Sequence, residues 1–333
     1  MTLPEVTDWR EDILGPDFQA RDIRLGPDPE GEGEAVATLV RYLPQDAAVP
    51  DDWASRSAVL WVPGMTDYFF QAHVAEQLHA AGHAFYALDL RKMGRARQPG
   101  QHWHYADDFR HYYPDLTAAL TLVTATHPTM VPLAHSTGGL IVAMWANHLA
   151  RNNRALHAKV AGIILNSPWL DMMYPRPIVA LGRPVINALG RLAPHLEIPG
   201  GNLGSYGVSI HRDHHGHWDF NTEFKPVGGH RKYLGWLRQV VLNQKLVHSD
   251  AINVQVPVLT LCSTTSRLNR PYSEKANTAD TVLDVEQIQR WAPHLGEDVT
   301  VHPVTGARHD VFLSTPEPLA EALDVTERWL AQL

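Results

Sequence analysis

The sequence predicts an α/β fold: a mostly parallel central sheet flanked by helices, with an inserted segment. Short apolar runs typical of buried strands alternate with helix-forming stretches between residues 58 and 167. The alternation stops between residues 168 and 250, where Pro, Gly and His are frequent, and resumes from residue 251 to residue 333. Strands that alternate with helices in this way form parallel sheets. We therefore predict a core built from residues 1–167 and 251–333, with residues 168–250 inserted as a cap.

The first part of the core begins with two predicted strands, 18–25 and 35–43, joined by a polar turn. Then follow, in chain order, strand 58–62, a helix to residue 81 with Asp67 as its N-cap, strand 84–90, a glycine-rich loop at 91–100, helix 106–126, strand 130–134, helix 140–150 and strand 160–167.

The predicted cap contains two helices, 178–192 and 231–247, and the stretch 204–207 is predicted as a loop because no strand precedes it. After the cap we predict strand 257–262, helix 284–295, strand 299–304 and a final helix at 316–333. A cap over the carboxyl ends of the strands would cover the edge at which open α/β sheets bind their ligands.

Composition excludes several classes of protein. The net charge is −8 and there is no Lys/Arg-rich block, so we expect no nucleic-acid partner. Residues 1–13 lack the basic and apolar parts of a signal peptide, and no apolar run approaches the roughly 20 residues needed to span a membrane. The single cysteine, Cys262, cannot form an internal disulfide. We expect a cytoplasmic protein without an integral membrane segment; the sequence predicts no particular oligomeric state.

The segment 129–140 has the pattern of a nucleophile elbow. An apolar strand is followed by His135-Ser136-Thr137, and Gly138 and Gly139 then open a helix. Such a turn presents the serine hydroxyl at a helix N-terminus, where backbone N–H groups favour negative charge. We predict that Ser136 attacks a carbonyl; the alternative is an ordinary strand–turn–helix that happens to contain a serine.

A serine nucleophile requires a base and an orienting acid. His309 lies in the loop between the last predicted strand and the final helix, where the base of such a fold is found. The loop after strand 257–262 is long, and two carboxylates in it are candidates for the acid. We favour Asp280 over Asp284, because Asp284 has the position of a helix cap.

The oxyanion of an acyl-transfer reaction needs two convergent N–H groups. We assign these to Thr137, the residue after the nucleophile, and to Met65, which follows Gly64 in the loop after strand 58–62. Pro63-Gly64 could instead be an ordinary turn. We predict no metal and no cofactor: the histidine-rich tract 211–217 has no cysteine nearby, and its histidines are expected to be solvated or to line the cap.

Five segments carry a resemblance to a known family: 62–68, 88–95, 134–139, 280–283 and 306–310. In them the chain resembles serine α/β-hydrolases of the monoglyceride lipase and lysophospholipase-like group, also called the serine aminopeptidase S33 type. The resemblance implies the α/β-hydrolase fold and hydrolysis of carboxylic esters, often of monoacyl lipids, without a cofactor. Pro63 stands where the group often has His, and Ala134 stands where it has Gly.

We therefore expect a carboxylic ester hydrolase with a small-molecule ester substrate and an acyl-enzyme intermediate. The alternatives are a peptidase or an acyltransferase on the same triad, and a non-catalytic ligand-binding homologue. The predicted cap has few acidic residues, and they are scattered. This disfavours an aminopeptidase, which would need an acidic cluster to hold the amine of its substrate.

Overall fold

The computed structural model describes residues 5–45, 50–174, 176–198 and 203–333, and in these ranges ten strands form a single sheet. The strands are β1 (Glu5–Val6), β2 (Arg10–Asp12), β3 (Gly15–Pro27), β4 (Glu34–Tyr42), β5 (Ala58–Val62), β6 (Ala84–Asp89), β7 (Met130–His135), β8 (Ile163–Asn166), β9 (Val258–Ser263) and β10 (Val299–Val304). Their order across the sheet is β1-β3-β4-β6-β5-β7-β8-β9-β10, and β2 pairs with β3.

The α-helices of the described residues flank this sheet or lie between β8 and β9. They are α1 (Ala72–Ala80), α2 (Tyr113–Val123), α3 (Thr137–Asn152), α4 (Arg154–His157), α5 (Arg176–Leu192), α6 (Gly204–Ile210), α7 (Leu234–His248), α8 (Val285–Trp291) and α9 (Pro316–Leu330). Within the described part of the chain, no helix combines the length and apolar character needed to cross a lipid bilayer.

Strands β5 to β10 pair in parallel with one another. Strands β1 to β4 pair antiparallel with one another, and β4 joins them to the parallel part through an antiparallel pairing with β6. This arrangement confirms the predicted α/β fold with a mostly parallel sheet. The strand order reverses at β5, which lies between β6 and β7. Ligands of open α/β sheets bind outside the carboxyl ends of the strands at such a reversal. The loops after β5 and β7 meet at that point.

Side chains of β5 alternate between the two faces of the sheet, as the pleat requires. Leu60 and Val62 pack with α2 and α3 on one face, while Val59 and Trp61 pack with α1 and α9 on the other. All four side chains are fully buried. Burial of an apolar side chain of this kind stabilises the fold by about 1.5–3 kcal/mol, so the sheet is held from both sides.

Three predicted local features were wrong. Asp67 does not cap α1, which begins at Ala72, because the Asp67 carboxylate is instead bound to Lys225. The helix predicted from residue 106 begins at Tyr113, because Pro114 occupies the first turn, where a missing N–H is tolerated. The predicted loop at 204–207 is the start of α6.

Residues 168–250, which we call the cap segment, contain α5, α6 and α7. The segment contacts the loops at the carboxyl edge of the sheet: Trp218 Nε1 donates to Leu313 O (2.9 Å), and the Asn221 amide donates to Tyr68 Oη (2.7 Å). Its last helix, α7, packs into the main core next to α3. The cap segment therefore adjoins the edge of the sheet at which the predicted site residues lie.

Candidate active site

The turn after β7 is tightly constrained around Ser136. This residue has φ +53° and ψ −118°, a backbone conformation that residues other than glycine rarely adopt. A Cβ at position 138 would collide with the carbonyl oxygen of Pro63, and one at position 139 would lie 2.9 Å from Pro168 Cβ. The two glycines are therefore required by the close approach of the Pro63 backbone and of the Pro168 ring, whereas the methyl group of Ala134 is accommodated in the core.

Three predicted site residues meet in a hydrogen-bonded line. The Oγ of Ser136 lies 3.1 Å from Nε2 of His309, and Nδ1 of His309 lies 2.9 Å from Oδ2 of Asp280. His309 and Asp280 are buried, whereas Ser136 is partly exposed. With its proton on Nδ1, the imidazole donates to Asp280 and its Nε2 can accept the serine proton. This geometry suits a nucleophile, a general base and an orienting carboxylate.

Asp280, and not Asp284, is the carboxylate in contact with His309. The second oxygen of Asp280, Oδ1, accepts the amide protons of Val282 and Leu283, both at 2.8 Å, which fixes the plane of the carboxylate. Asp284 is the N-cap of α8, where its side chain accepts the amide proton of Glu286 (3.0 Å). The two acids therefore have different structural roles.

Met65 and Thr137 both line the cavity beside Ser136. A Cβ on Gly64 would be 2.9 Å from Ser136 Cβ and 3.4 Å from Thr137 N, so the loop after β5 runs directly against the elbow. Within the described residues neither amide donates a hydrogen bond to another protein group. Both are therefore available to a ligand atom beside Ser136 Oγ.

His135, the neighbour of Ser136, does not compete as the base. Its ring lies 4.8 Å from that of His309, centroid to centroid, and its Nδ1 contacts the carbonyl oxygen of Asn166 (3.3 Å). Burial holds the pKa of His135 well below its usual range, so the ring is neutral.

A buried network that the sequence did not reveal fixes the loop carrying His309. Asp310 accepts hydrogen bonds from Gln71 Nε2 (2.9 Å) and Asn166 Nδ2 (2.7 Å), and Asn166 Oδ1 accepts the amide proton of Val311 (3.1 Å). Asp310 directly follows His309, so these contacts hold His309 against the ends of β8 and of the β5–α1 loop. Only the adjacency of Asp310 to a candidate base could have indicated its importance.

A cavity of about 610 Å³ opens at Ser136 and His309, between the carboxyl edge of the sheet and the cap segment. Most of its wall is apolar, including Trp169, Met172, Leu203, Phe220, Trp236 and Leu283. Its charged lining groups are Lys225, Lys232 and Arg270; among the described residues that line it, none is Asp or Glu. The cavity therefore has a mostly apolar wall, and the charged side chains that line it are basic.

Lys225 joins the cap segment to the loop after β5. Its Nζ lies 2.7 Å from Oδ1 of Asp67, and both residues are buried. The ammonium also lies 5.4 Å from the ring centre of Tyr206 and 5.9 Å from that of Phe220, within cation–π range. Since Asp67 is two residues from Met65, this ion pair fixes one wall of the site.

Replacing Lys225 with methionine is expected to destabilise the protein by about 3 kcal/mol at pH 8, because Asp67 loses its partner and must be either charged and buried or protonated. Burial raises the pKa of the Asp67 carboxyl from 3.8 to about 6, against the opposing effect of Lys225. A raised folded-state pKa means that this group stabilises the fold when protonated, and that the contribution is lost as pH rises from about 4 through 6.

Without Lys225 the pKa of Asp67 rises further, so the loss continues above pH 6. Urea denaturation should show that the deficit of Lys225→Met is small near pH 5 and grows above pH 6. Asp67→Asn/Lys225→Met, which also removes the carboxylate, should recover most of it. Lys245→Met, at an exposed lysine of α7, is the control. A deficit of equal size at pH 5 and pH 8 would contradict this account.

The histidine-rich tract 211–217 does not form a metal centre in the described structure. His211 packs edge-on against Phe220, and His215 stacks on Tyr272. No three potential ligand atoms of this tract come within 4.8 Å of one another among the described residues.

The fold and the arrangement of the site define the chain as an α/β-hydrolase. The sequence model of the family described as serine aminopeptidase, S33, matches residues 54–316, most of the chain. The protein belongs to this hydrolase family, as the sequence motifs predicted. A comparison with curated proteins finds no match.

Solved structures with the same fold include two lipases and an esterase. A monoacylglycerol lipase of Paleococcus ferrophilus is 22% identical with a TM-score of 0.58, and the alignment covers 83% of this chain and 94% of that one. A soluble variant of the Saccharomyces cerevisiae monoglyceride lipase, bound to a substrate analogue, is 15% identical with a TM-score of 0.60 and coverages of 100% and 95%. Est1E of Butyrivibrio proteoclasticus, with ferulic acid bound, is 14% identical with a TM-score of 0.54 and coverages of 92% and 97%.

Proposed function

We propose that the protein is a serine hydrolase that cleaves carboxylic esters, with Ser136 as nucleophile, His309 as general base and Asp280 as the orienting acid. The observation that carries this proposal is the hydrogen-bonded line from Ser136 through His309 to Asp280, which opens on a largely apolar cavity. Membership of a serine hydrolase family supports the same reading.

In the proposed reaction, His309 Nε2 takes the proton of Ser136 Oγ as this oxygen attacks the ester carbonyl carbon. The amides of Met65 and Thr137 donate to the resulting oxyanion. The intermediate collapses by breaking its bond to the alcohol oxygen, and His309 returns the proton to that oxygen. Water, activated by the same imidazole, then attacks the acyl-enzyme and releases the carboxylic acid and free Ser136. Loss of one oxyanion donor typically lowers the rate by about 10²–10³-fold.

The proposed substrate class is a monoacyl, lipid-like ester. A cavity of about 610 Å³ has the size of a small-ligand site, and its apolar wall suits a single acyl chain. Monoacylglycerol lipases are among the solved structures that share the fold. The cap segment is proposed to cover the bound acyl chain, because Trp169, Leu203 and Trp236 of this segment line the cavity.

A peptidase is the second candidate, since the family description names an aminopeptidase. Its substrate would bring a protonated amine next to the scissile bond. Among the described residues that line the cavity none is Asp or Glu, and the charged ones are Lys232, Arg270 and Lys225, the last of which is paired with Asp67. A protonated amine would therefore meet no lining carboxylate to hold it. The charge of the cavity therefore favours the esterase over the aminopeptidase.

A series of p-nitrophenyl esters of increasing acyl length, compared with aminoacyl p-nitroanilides, tests the proposal. Each additional CH₂ buried should add about 0.8 kcal/mol, roughly a fourfold rise in kcat/KM, until the cavity is filled. Faster turnover of the anilides than of the esters would favour the peptidase. No turnover, together with no labelling of folded protein by a fluorophosphonate, would indicate a non-catalytic binding protein.

A further inference from the structure

Three potential metal ligands converge where the cap segment meets the β3–β4 turn and the loop after β6. Glu32 lies in the turn between β3 and β4, His102 in the loop after β6, and His195 in the cap segment after α5. One ligand atom of each lies within 4.8 Å of the other two. Nδ1 of His102 is 2.5 Å from Oε1 of Glu32, and the rings of His102 and His195 are 5.3 Å apart between centroids.

The surroundings of this cluster carry an excess of negative charge. Lys92 Nζ contacts three carboxylates: Asp28 at 2.9 Å, Glu32 at 3.1 Å, and Glu30. Lys92, Asp28 and Glu30 are almost completely buried. His111 Nδ1 also lies 3.3 Å from Glu30, so with this imidazole protonated two cations face three carboxylates. In a region of low dielectric the remaining negative charge attracts a further cation.

Glu32 and His102 are partly exposed and His195 is exposed, so an ion can reach the cluster and replace the proton between His102 Nδ1 and Glu32 Oε1. We propose that Glu32, His102 and His195 bind a divalent transition-metal ion of the zinc class. Two imidazoles and one carboxylate are a donor set that zinc accepts in tetrahedral sites, with water as the fourth ligand. Mg²⁺ and Ca²⁺ prefer oxygen ligands and are not expected to bind here.

The ion would join the cap segment to the core. The carbonyls of Pro194 and Leu196, on either side of His195, accept the amide protons of Gly235 and Leu234 at the start of α7. Trp236, in the first turn of α7, lines the cavity. A metal held by His195 on one side and by Glu32 and His102 on the other would therefore fix the position of one cavity wall relative to the sheet.

A neighbouring group, Glu30, Asp107 and His111, is the competing site. It offers one imidazole instead of two, which is a poorer donor set for an ion of the zinc class. The carboxylates do not separate the two sites, because Glu30 and Glu32 each bind Lys92 and one backbone amide. Zn²⁺ binding that depends on His195 indicates the first site, whereas binding that depends on His111 indicates the second.

Zn²⁺ titration of the full chain, followed by calorimetry and by the thermal unfolding temperature, tests the proposal. We expect Zn²⁺ but not Mg²⁺ to raise the Tm of the wild-type protein, because a ligand of the folded state stabilises it. His195→Ala, at an exposed position, should weaken Zn²⁺ binding by at least about tenfold, since even a partner outside the coordination shell is worth about 10–100-fold. Glu32→Gln, which keeps the side-chain shape, should have the same effect.

His302→Ala is the matched control, because His302 also bonds a carboxylate, Glu321, at 2.9 Å but is outside the cluster. This variant and His111→Ala should bind Zn²⁺ as the wild type does. The proposal is overturned if Zn²⁺ leaves the wild-type Tm unchanged, if His195→Ala and Glu32→Gln respond as the wild type does, or if His111→Ala alone loses the response.

Discussion

Replacing Ser136 with alanine is expected to lower kcat for p-nitrophenyl ester hydrolysis by at least about 10⁴-fold and to abolish labelling by a fluorophosphonate. The proposed covalent step depends on the Oγ atom, which no neighbouring group replaces, and residual activity would come only from the oxyanion donors and from binding. Residue 136 has a positive φ in the wild-type protein, and we expect alanine to keep it. The change should therefore leave stability nearly unaffected.

Ser205→Ala provides the matched control, because Ser205 lines the same cavity from α6. It should retain activity within a few-fold of the wild type. Circular dichroism and the Tm of Ser136→Ala should match those of the wild type. Activity of Ser136→Ala within about tenfold of the wild type would refute the assignment of the nucleophile.

Replacing Asp280 with asparagine is expected to lower kcat by about 10⁴-fold, the size of the effect when an orienting carboxylate becomes an amide. The amide no longer favours the His309 tautomer with its proton on Nδ1, and it does not stabilise the imidazolium that forms in the reaction. The asparagine oxygen can still accept the amide protons of Val282 and Leu283, so the local backbone should persist.

Asp284→Asn separates this role from a general effect of charge on the same loop. Asp284 caps α8, and asparagine caps helices about as well as aspartate. We expect Asp284→Asn to keep both wild-type activity and wild-type Tm. If Asp284→Asn lost activity while Asp280→Asn kept it, the assignment of the acid would be reversed.

Much of the fold could be predicted because its signals are local. The apolar runs at 58–62 and 130–134 coincide with β5 and with most of β7, since strands buried on both faces have little polar content. The elbow was visible because so sharp a turn permits only small residues two positions before and two positions after Ser136, here Ala134 and Gly138. His309 and Asp280 could be proposed because the order of strands limits which loops reach the carboxyl edge of the sheet.

The remaining features depend on contacts between distant parts of the chain. Asp67 has the position of a helix cap in the sequence, but its carboxylate binds Lys225, which lies 158 residues further along the chain. The partners of Asp310 are Gln71, directly before α1, and Asn166, at the end of β8. Polar pairs of this kind have no periodicity along the chain, so no local pattern predicts them.

The course of α7 limits how much of the cap segment can be replaced by the corresponding segment of a related hydrolase. Because β8 and β9 are parallel neighbours, the chain must cross from one end of the sheet to the other between them, and α7 makes that return while contributing Val240, Val241 and Val247 to the core. Only the stretch before Leu234 can therefore be grafted from another hydrolase. A transplant that extended through residue 250 would also replace part of the scaffold.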